Sequence, residues 1–220
     1  MKISYQELTR QPIFRGVSEN DLKTMLECLG ADERSFKKGE YIALSSESVK
    51  CVSVILRGTV HMVSEDIWGN KTILVFMHRG ELFGETFACG SSTASIVSFF
   101  AAEEVHSLYL PFDKIMHSCS NACAFHHRLI ENVLTMIADK NIQLMQKVEI
   151  ISKRTLREKL LTYFSLQAQL QGSKHFELPV GRIGLADYLC ADRSALTREL
   201  NRMKEENLID FHKNSFVLLK

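Results

Sequence analysis

Between Ile130 and Ile151 the residues Ile130, Leu134, Ile137, Asn141, Leu144, Val148 and Ile151 succeed one another at intervals of 4, 3, 4, 3, 4 and 3. A helix that keeps this repeat over three heptads presents a straight seam, with 134, 141 and 148 at a positions and 130, 137, 144 and 151 at d positions. The seam needs cover. Either one amphipathic helix packs it on its own domain, or a second copy of the helix covers it and the chain is a homodimer. Asn141 favours the second, because a lone polar residue at an a position costs stability but sets register and strand number. Glu131, Asp139, Lys140, Gln143, Gln146 and Lys147 read as polar flanks of the seam.

The texture before the seam is different. Residues 1–30 read as helical, with Ser18 to Asp21 capping a helix that carries Leu22, Met25, Leu26 and Leu29. Residues 31–111 hold short apolar runs: Tyr41–Leu44, Cys51–Leu56, Thr59–Val63, Ile73–Met77, Ile96–Phe100 and Val105–Leu110. Glycines 39, 58, 69, 80, 84 and 90 punctuate them. Short, evenly spaced strands with glycine turns predict a jelly roll or barrel. From Pro111 the pattern is helical, through the seam and on to Gln171, where Gly172-Ser173 breaks it. An extended run, Phe176–Val180, follows.

Ile183 to Leu208 reads as two helices broken at Leu189-Cys190-Ala191, with Asp192 as N-cap of the second. Leu196, Leu200 and Met203 share its core face, and Arg193, Ser194, Thr197, Arg198, Asn201 and Arg202 lie opposite. Ile209–Phe211 and Ser215–Leu219 pair around Lys213-Asn214 as a hairpin, which makes the whole a winged helix-turn-helix. Arginine bonds the acceptor edge of guanine in two places, and serine and threonine bond several base edges. Arg193, Ser194, Thr197 and Arg198 are therefore the candidate base readers, and Arg202 a candidate phosphate contact. The alternative is a solvated helix face paired with Glu199 and Glu205. Charge favours the DNA reading: residues 152–220 hold 12 Lys+Arg against 8 Asp+Glu, net +4, and the rest 15 against 18, net −3.

Several classes are disfavoured. No apolar run approaches the roughly 18 residues of a membrane span, and the first residues, MKISYQELTRQPIF, lack the apolar stretch of a signal peptide. A cytoplasmic location is expected. Cysteines 28, 51, 89, 119, 123 and 190 are then free thiols, with no C-x-x-C pair or zinc-finger spacing among them. No cofactor is expected. A cupin-like metal enzyme needs clustered His, His and Glu, and His61 and His78 stand seventeen residues apart with no His-x-His pair. No catalytic triad, phosphate loop or dinucleotide fingerprint occurs.

At this point the chain resembles the CRP/FNR family of bacterial transcription regulators from end to end. Phe36-Lys-Lys-Gly39-Glu-Tyr-Ile42 looks like the family's opening strand, and Val54-Ile-Leu-Arg-Gly58-Thr-Val60 like its central hairpin. Gly80-Glu-Leu-Phe-Gly84-Glu85 looks like the signature before the ligand pocket. Arg193 to Arg198 looks like the recognition helix, and Lys204-Glu-Glu-Asn207-Leu-Ile209 like its end. The resemblance implies an α+β chain in three parts: an effector-sensing β-roll over residues 1–115, a dimerisation helix over 116–151 and a winged-helix DNA-binding domain over 152–220. It implies double-stranded DNA, a second copy of the chain and a small-molecule effector as partners, and RNA polymerase if the protein is an activator.

The departures sharpen the expectation. Members that bind cyclic nucleotides carry an Arg about ten residues after Gly-Glu, facing the cyclic phosphate. Here that position is near Ser95, and no Arg or Lys occurs from Glu85 until Lys114. A buried phosphate without a cation is very costly, so cyclic AMP and GMP are disfavoured, although a cyclic-nucleotide-responsive regulator stays the main alternative. Glu85 is expected to be a structural turn carboxylate. Cys28 alone among the first fifty residues gives no iron–sulfur ligand set. Haem would need axial ligands, for which His61 and His78 are weak candidates. Cys119 and Cys123, one helical turn apart, are redox candidates or small buried hydrophobes. Phe83, Gly84, Glu85, Phe87, Ser95 and Val97, with Ile96, Phe99 and Phe100 beside them, are the expected effector pocket. The resemblance sets Asn141, Ile142 and Gln143 over its mouth. Many members carry Glu where this chain has Ser194, so the half-site is expected to differ there, with relaxed or A·T preference, while Arg198 still reads guanine.

Overall fold

Turn residues and helix caps divide the chain where the sequence marks them. The computed structural model describes residues 4–116 and 124–219. The N-terminal part runs α1 (Tyr5–Leu8), α2 (Glu19–Leu29), β1 (Asp32–Phe36), β2 (Tyr41–Ala43), β3 (Cys51–Arg57), β4 (Val60–Glu65) and β5 (Lys71–Met77). It continues through β6 (Leu82–Phe83), α3 (Glu85–Ala88), β7 (Ser98–Ala101), β8 (Val105–Pro111) and α4 (Phe112–Met116). Then come α5 (Ala124–Ile151), α6 (Leu156–Leu170), β9 (His175–Glu177), α7 (Arg182–Leu189), α8 (Arg193–Glu205), β10 (Ile209–His212) and β11 (Ser215–Leu218). Two compact units result. One holds the chain up to Gly69 with Val75–Ile142, the other Asn70–Leu74 with the chain from Gln143. The division falls inside α5, between the expected boundaries at 115 and 151.

The first unit is the expected β-roll. Its sheets run in the orders β1-β8-β3-β6 and β2-β7-β4-β5. Alternation along β3 explains why five consecutive residues are buried. Val52, Val54 and Leu56, with Leu108 and Leu110 of β8, join a core completed by Leu22, Met25 and Leu29 of α2 and Leu129 and Val133 of α5. Ser53, Phe83 and Tyr109 turn to the other face and line the interior of the roll with Phe99. Ser18 caps α2 as expected, its Oγ accepting from Asp21 N at 3.2 Å. Gly58 joins β3 to β4 at φ +90°, where a Cβ would sit 2.2 Å from the Glu104 carbonyl, so only glycine fits.

Two expectations change here. The stretch Phe36–Ile42 is not one strand: it closes β1, turns through Gly39 and opens β2, because Lys37 N donates to the Glu40 carboxylate at 2.7 Å and folds the chain back. Ile96 does not line the roll; it is 80% exposed, while Val97 beside it is buried.

The second unit is built on aromatic packing. Phe164, Phe176 and Phe216 meet with centroids 4.7 to 6.0 Å apart, between α6 and the sheet β10-β11-β9. Leu196, Leu200 and Met203 bury the core face of α8. Thr155 and Glu158 form a capping box on α6.

Candidate functional site

α7 ends at Cys190, whose left-handed backbone (φ +50°) turns the chain toward α8. Asp192 caps α8, its Oδ1 accepting from Ala195 N at 2.9 Å. Lys213, at φ +54°, closes the β10–β11 hairpin behind it. Arg193, Ser194, Thr197, Arg198 and Arg202 are all exposed on one side of the helix. Of the two acids that could have neutralised this face, Glu199 is engaged elsewhere, while Glu205 is exposed and makes no ion pair among the described residues. Arg157 of α6 holds Glu199 (Nε–Oε1 2.5 Å) and both oxygens of Glu206 (2.6 and 2.8 Å). Among the described residues, no carboxylate lies within ion-pair distance of Arg193, Arg198 or Arg202. The Ser194 hydroxyl donates to Asp192 Oδ1 at 2.6 Å, which leaves its oxygen the capacity to accept. No property of Arg157 read alone announced its part in clearing this face.

The seam on α5 divides into two faces. Leu134 and Val148, at a positions, are each 61% exposed, and Ile142 and Met145 beside them are also exposed. The d residues Ile130, Ile137, Leu144 and Ile151 are half-buried, two of them against the core of the first unit. Asn141 is exposed between the a residues. One position away a second heptad face is buried, through Leu129, Val133, Lys140, Lys147 and Ile150. Both readings of the seam therefore have a physical basis: one face packs on its own chain, and the adjacent apolar stripe is uncovered.

Lys140 and Lys147 correct the expectation of polar flanks. Lys140 is 6% exposed, and its Nζ lies 2.9 Å from Glu85 Oε1, with the Leu82 carbonyl and Met77 Sδ beside it. Glu85 is thus more than a turn carboxylate: it is 1% exposed and pairs with a lysine far along the chain. Its Oε2 has no hydrogen-bond partner among the described residues. Lys147 lies in the second unit, 3.4 Å from the Tyr188 ring centroid, and donates to the Ile73 carbonyl at 3.2 Å.

Burial pulls the Lys147 pKa down to about 8, with Lys159 adding repulsion and Cys190 opposing. The sign follows. Below about 8 both folded and unfolded chains are protonated and the burial cost is constant. From about 8 to the ordinary 10.5 the unfolded chain holds the extra proton, so stability rises with pH. Urea unfolding of the second unit should show a gain on the order of 1–2 kcal/mol from pH 7.5 to 9.5, absent in Lys147→Met. An equal pH response in the two proteins contradicts this.

The expected effector-pocket residues sit on several elements of the chain, and Phe83 and Phe99 share one cavity. Phe83 lines a cavity of about 310 Å³ inside the first unit. Gly84 turns at φ +81°, where a Cβ would meet Val49 Cγ1 at 2.9 Å. Phe87 packs on Phe99 with centroids 6.4 Å apart. The Ser95 hydroxyl donates to the Val97 carbonyl at 2.6 Å and is buried. Asn141 and Ile142 are exposed, and Gln143 belongs to the second unit.

Burial pushes the Cys89 thiol up to about 11 and the Cys51 thiol in the same direction, so both stay protonated at neutral pH. Cys119 and Cys123 lie outside the described residues. His61 packs edge-on to Phe76 at 5.1 Å, and burial, then His78, lowers its pKa. Among the described residues, no three His, Cys, Asp or Glu groups come together as a metal ion requires. No described helix is long and apolar enough to cross a membrane.

Comparison with known proteins agrees with this architecture. Residues 33–121 match the family model of the cyclic nucleotide-binding domain. The chain is 23% identical over 193 residues to Electron transport regulator A of Shewanella oneidensis, covering 85% of this chain and 74% of that protein. It is similar to a CooA variant from Carboxydothermus hydrogenoformans (TM-score 0.74, 15% identity, 100% of this chain and 93% of the other). It is also similar to CLP, the c-di-GMP-responsive global regulator of Xanthomonas campestris (TM-score 0.72, 13% identity, 90% and 99%). The chain has the fold of CRP/FNR transcriptional regulators: a cyclic-nucleotide-binding-type β-roll, a long helix and a winged helix-turn-helix.

Proposed function

We propose that the chain is an effector-responsive transcriptional regulator of the CRP/FNR type, binding a palindromic operator as a homodimer. The observation that carries this reading is the unpaired cationic face of α8, kept clear by Arg157 and presented between a helix-turn-helix corner and a hairpin wing. A helix of this size fits the major groove. Arg193 and Arg198 read base edges, Ser194 and Thr197 add polar contacts, and Arg202 binds phosphate. With its proton held by Asp192, Ser194 accepts from an amino group such as adenine N6. Operator half-sites are then about 34–36 Å apart, one turn of DNA.

The stripe through Leu134, Asn141, Met145 and Val148 pairs with its copy in the partner. A small shift in that seam changes the spacing of the two α8 helices, so an effector acts by favouring one arrangement. Cyclic nucleotides are not that effector. Glu85 is committed to Lys140, and no Arg or Lys occurs between Glu85 and Lys114 in the sequence, where the resemblance sets the cation for the cyclic phosphate. This reading assigns no catalytic residue.

Leu134→Glu with Val148→Glu sets charges into the seam and leaves the buried face of α5 untouched. Sedimentation should show a monomer at micromolar concentration, and operator affinity should fall at least tenfold. A double variant that remains dimeric removes this stripe from the interface.

A further inference from the structure

Asparagine is a poor residue for a helix interior, because its side chain competes with the backbone for hydrogen bonds. α8 nevertheless carries Asn201 well inside its ends, Arg193 and Glu205. The usual reasons are absent. The caps of this helix are Asp192 and Glu206. Thr197, one turn earlier, returns its hydroxyl to the Arg193 carbonyl at 3.0 Å, and Ser194 donates to Asp192. Asn201 does neither: it is exposed, and among the described residues nothing bonds its amide. Of the three uncharged polar side chains of α8, only Asn201 keeps both its donor and its acceptor free.

Its place on the helix is a second, independent observation. Ser194, Thr197, Arg198 and Asn201 follow at intervals of 3, 1 and 3, which makes one stripe opposite the buried Leu196, Leu200 and Met203. Arg198 and Arg202 flank Asn201 within one turn, and neither pairs with a carboxylate among the described residues. Glu205, one turn further on, does not hold the amide either.

The chemistry names a base. In the major groove adenine offers N7 as acceptor and N6 as donor, and a flat carboxamide meets both at once. Guanine offers two acceptors there, so a carboxamide forfeits one of the two bonds. Three residues of helix rise about 4.5 Å, and stacked base pairs lie about 3.4 Å apart. The base that Asn201 reaches is therefore one or two pairs from the guanine read by Arg198. We infer that Asn201 is a specificity-determining residue that reads an adenine in each half-site. This rests on the regulator reading, with α8 in the major groove.

The test is selection from a random DNA pool with the full-length dimer, wild type against Asn201→Ala, at one fixed salt, alone and with small metabolites. The wild type should select adenine one or two pairs from the guanine. The variant should keep the guanine and lose that adenine. Its affinity for the wild-type operator should fall about tenfold, with no fall in melting temperature, since alanine is the better helix former. Replacing the adenine by 7-deazaadenine, which lacks the N7 acceptor, should weaken the wild type by a similar factor and leave Asn201→Ala unchanged. A variant that loses affinity equally for every duplex overturns the inference, because that is the mark of a phosphate contact. A symmetric site whose bases ignore the substitution removes this inference alone. A wild type that selects no symmetric site removes the regulator reading, and this inference with it.

Discussion

Arg193→Ala combined with Arg198→Ala lowers affinity for the specific operator at least a hundredfold and leaves the dimer and its melting temperature unchanged. The magnitude follows from the chemistry. A bidentate arginine–guanine pair contributes about 1–3 kcal/mol of discrimination, and about 1.4 kcal/mol is tenfold in affinity. The stability expectation follows from the structure: both side chains are exposed and neither makes an ion pair among the described residues. Arg202→Ala should instead weaken specific and nonspecific duplexes alike and flatten the salt dependence by about one phosphate contact. Electrophoretic mobility shifts at fixed salt separate these effects. Unchanged affinity in the double variant leaves α8 without its proposed role.

The second large effect lies in the β-roll. Lys140→Met strands the Glu85 carboxylate, which is 1% exposed and loses the ammonium 2.9 Å away. Breaking a buried pair from one side typically costs about 3–5 kcal/mol, because the remaining charge has neither water nor partner. Replacing both with apolar residues of similar size is often neutral or stabilising. Urea unfolding should therefore show a severe loss in Lys140→Met and recovery in Glu85→Leu with Lys140→Met. A single substitution costing less than about 1 kcal/mol, or a double variant no better than the single, contradicts a tight pair. The pair also ties α5 to the start of α3 within the first unit.

The strand runs, helix caps and wing were legible because each is a local pattern: alternation, a capping residue, a turn dipeptide. β1 was less so. Asp32-Glu-Arg-Ser-Phe36 is too polar to read as a strand, and it forms one because it is a sheet edge whose partner β8 supplies the register. β6, two residues long, exists only through its pairing with β3.

The heptad on α5 was visible, but a seam and its neighbour one residue away share a period, and the eye follows the more apolar of the two. Lys140 and Lys147 stand seven residues apart on the buried face with Val133. That spacing was the available signal for their burial. Their partners were not available: Glu85 and Tyr188 lie 55 and 41 residues away, and only the folded chain brings them together. The lining of the cavity in the first unit has the same character, since Arg34, Phe83, Phe99 and Tyr109 come from four strands.

The most direct test of the regulator reading is selection of bound duplexes from a random DNA pool. The purified, reduced protein would be used at fixed moderate salt, alone and with an extract of small metabolites. The predicted result is a two-fold symmetric site with half-site centres one helical turn apart and a guanine in each half whose selection is lost in Arg198→Ala. Absence of any symmetric site in both conditions would contradict it.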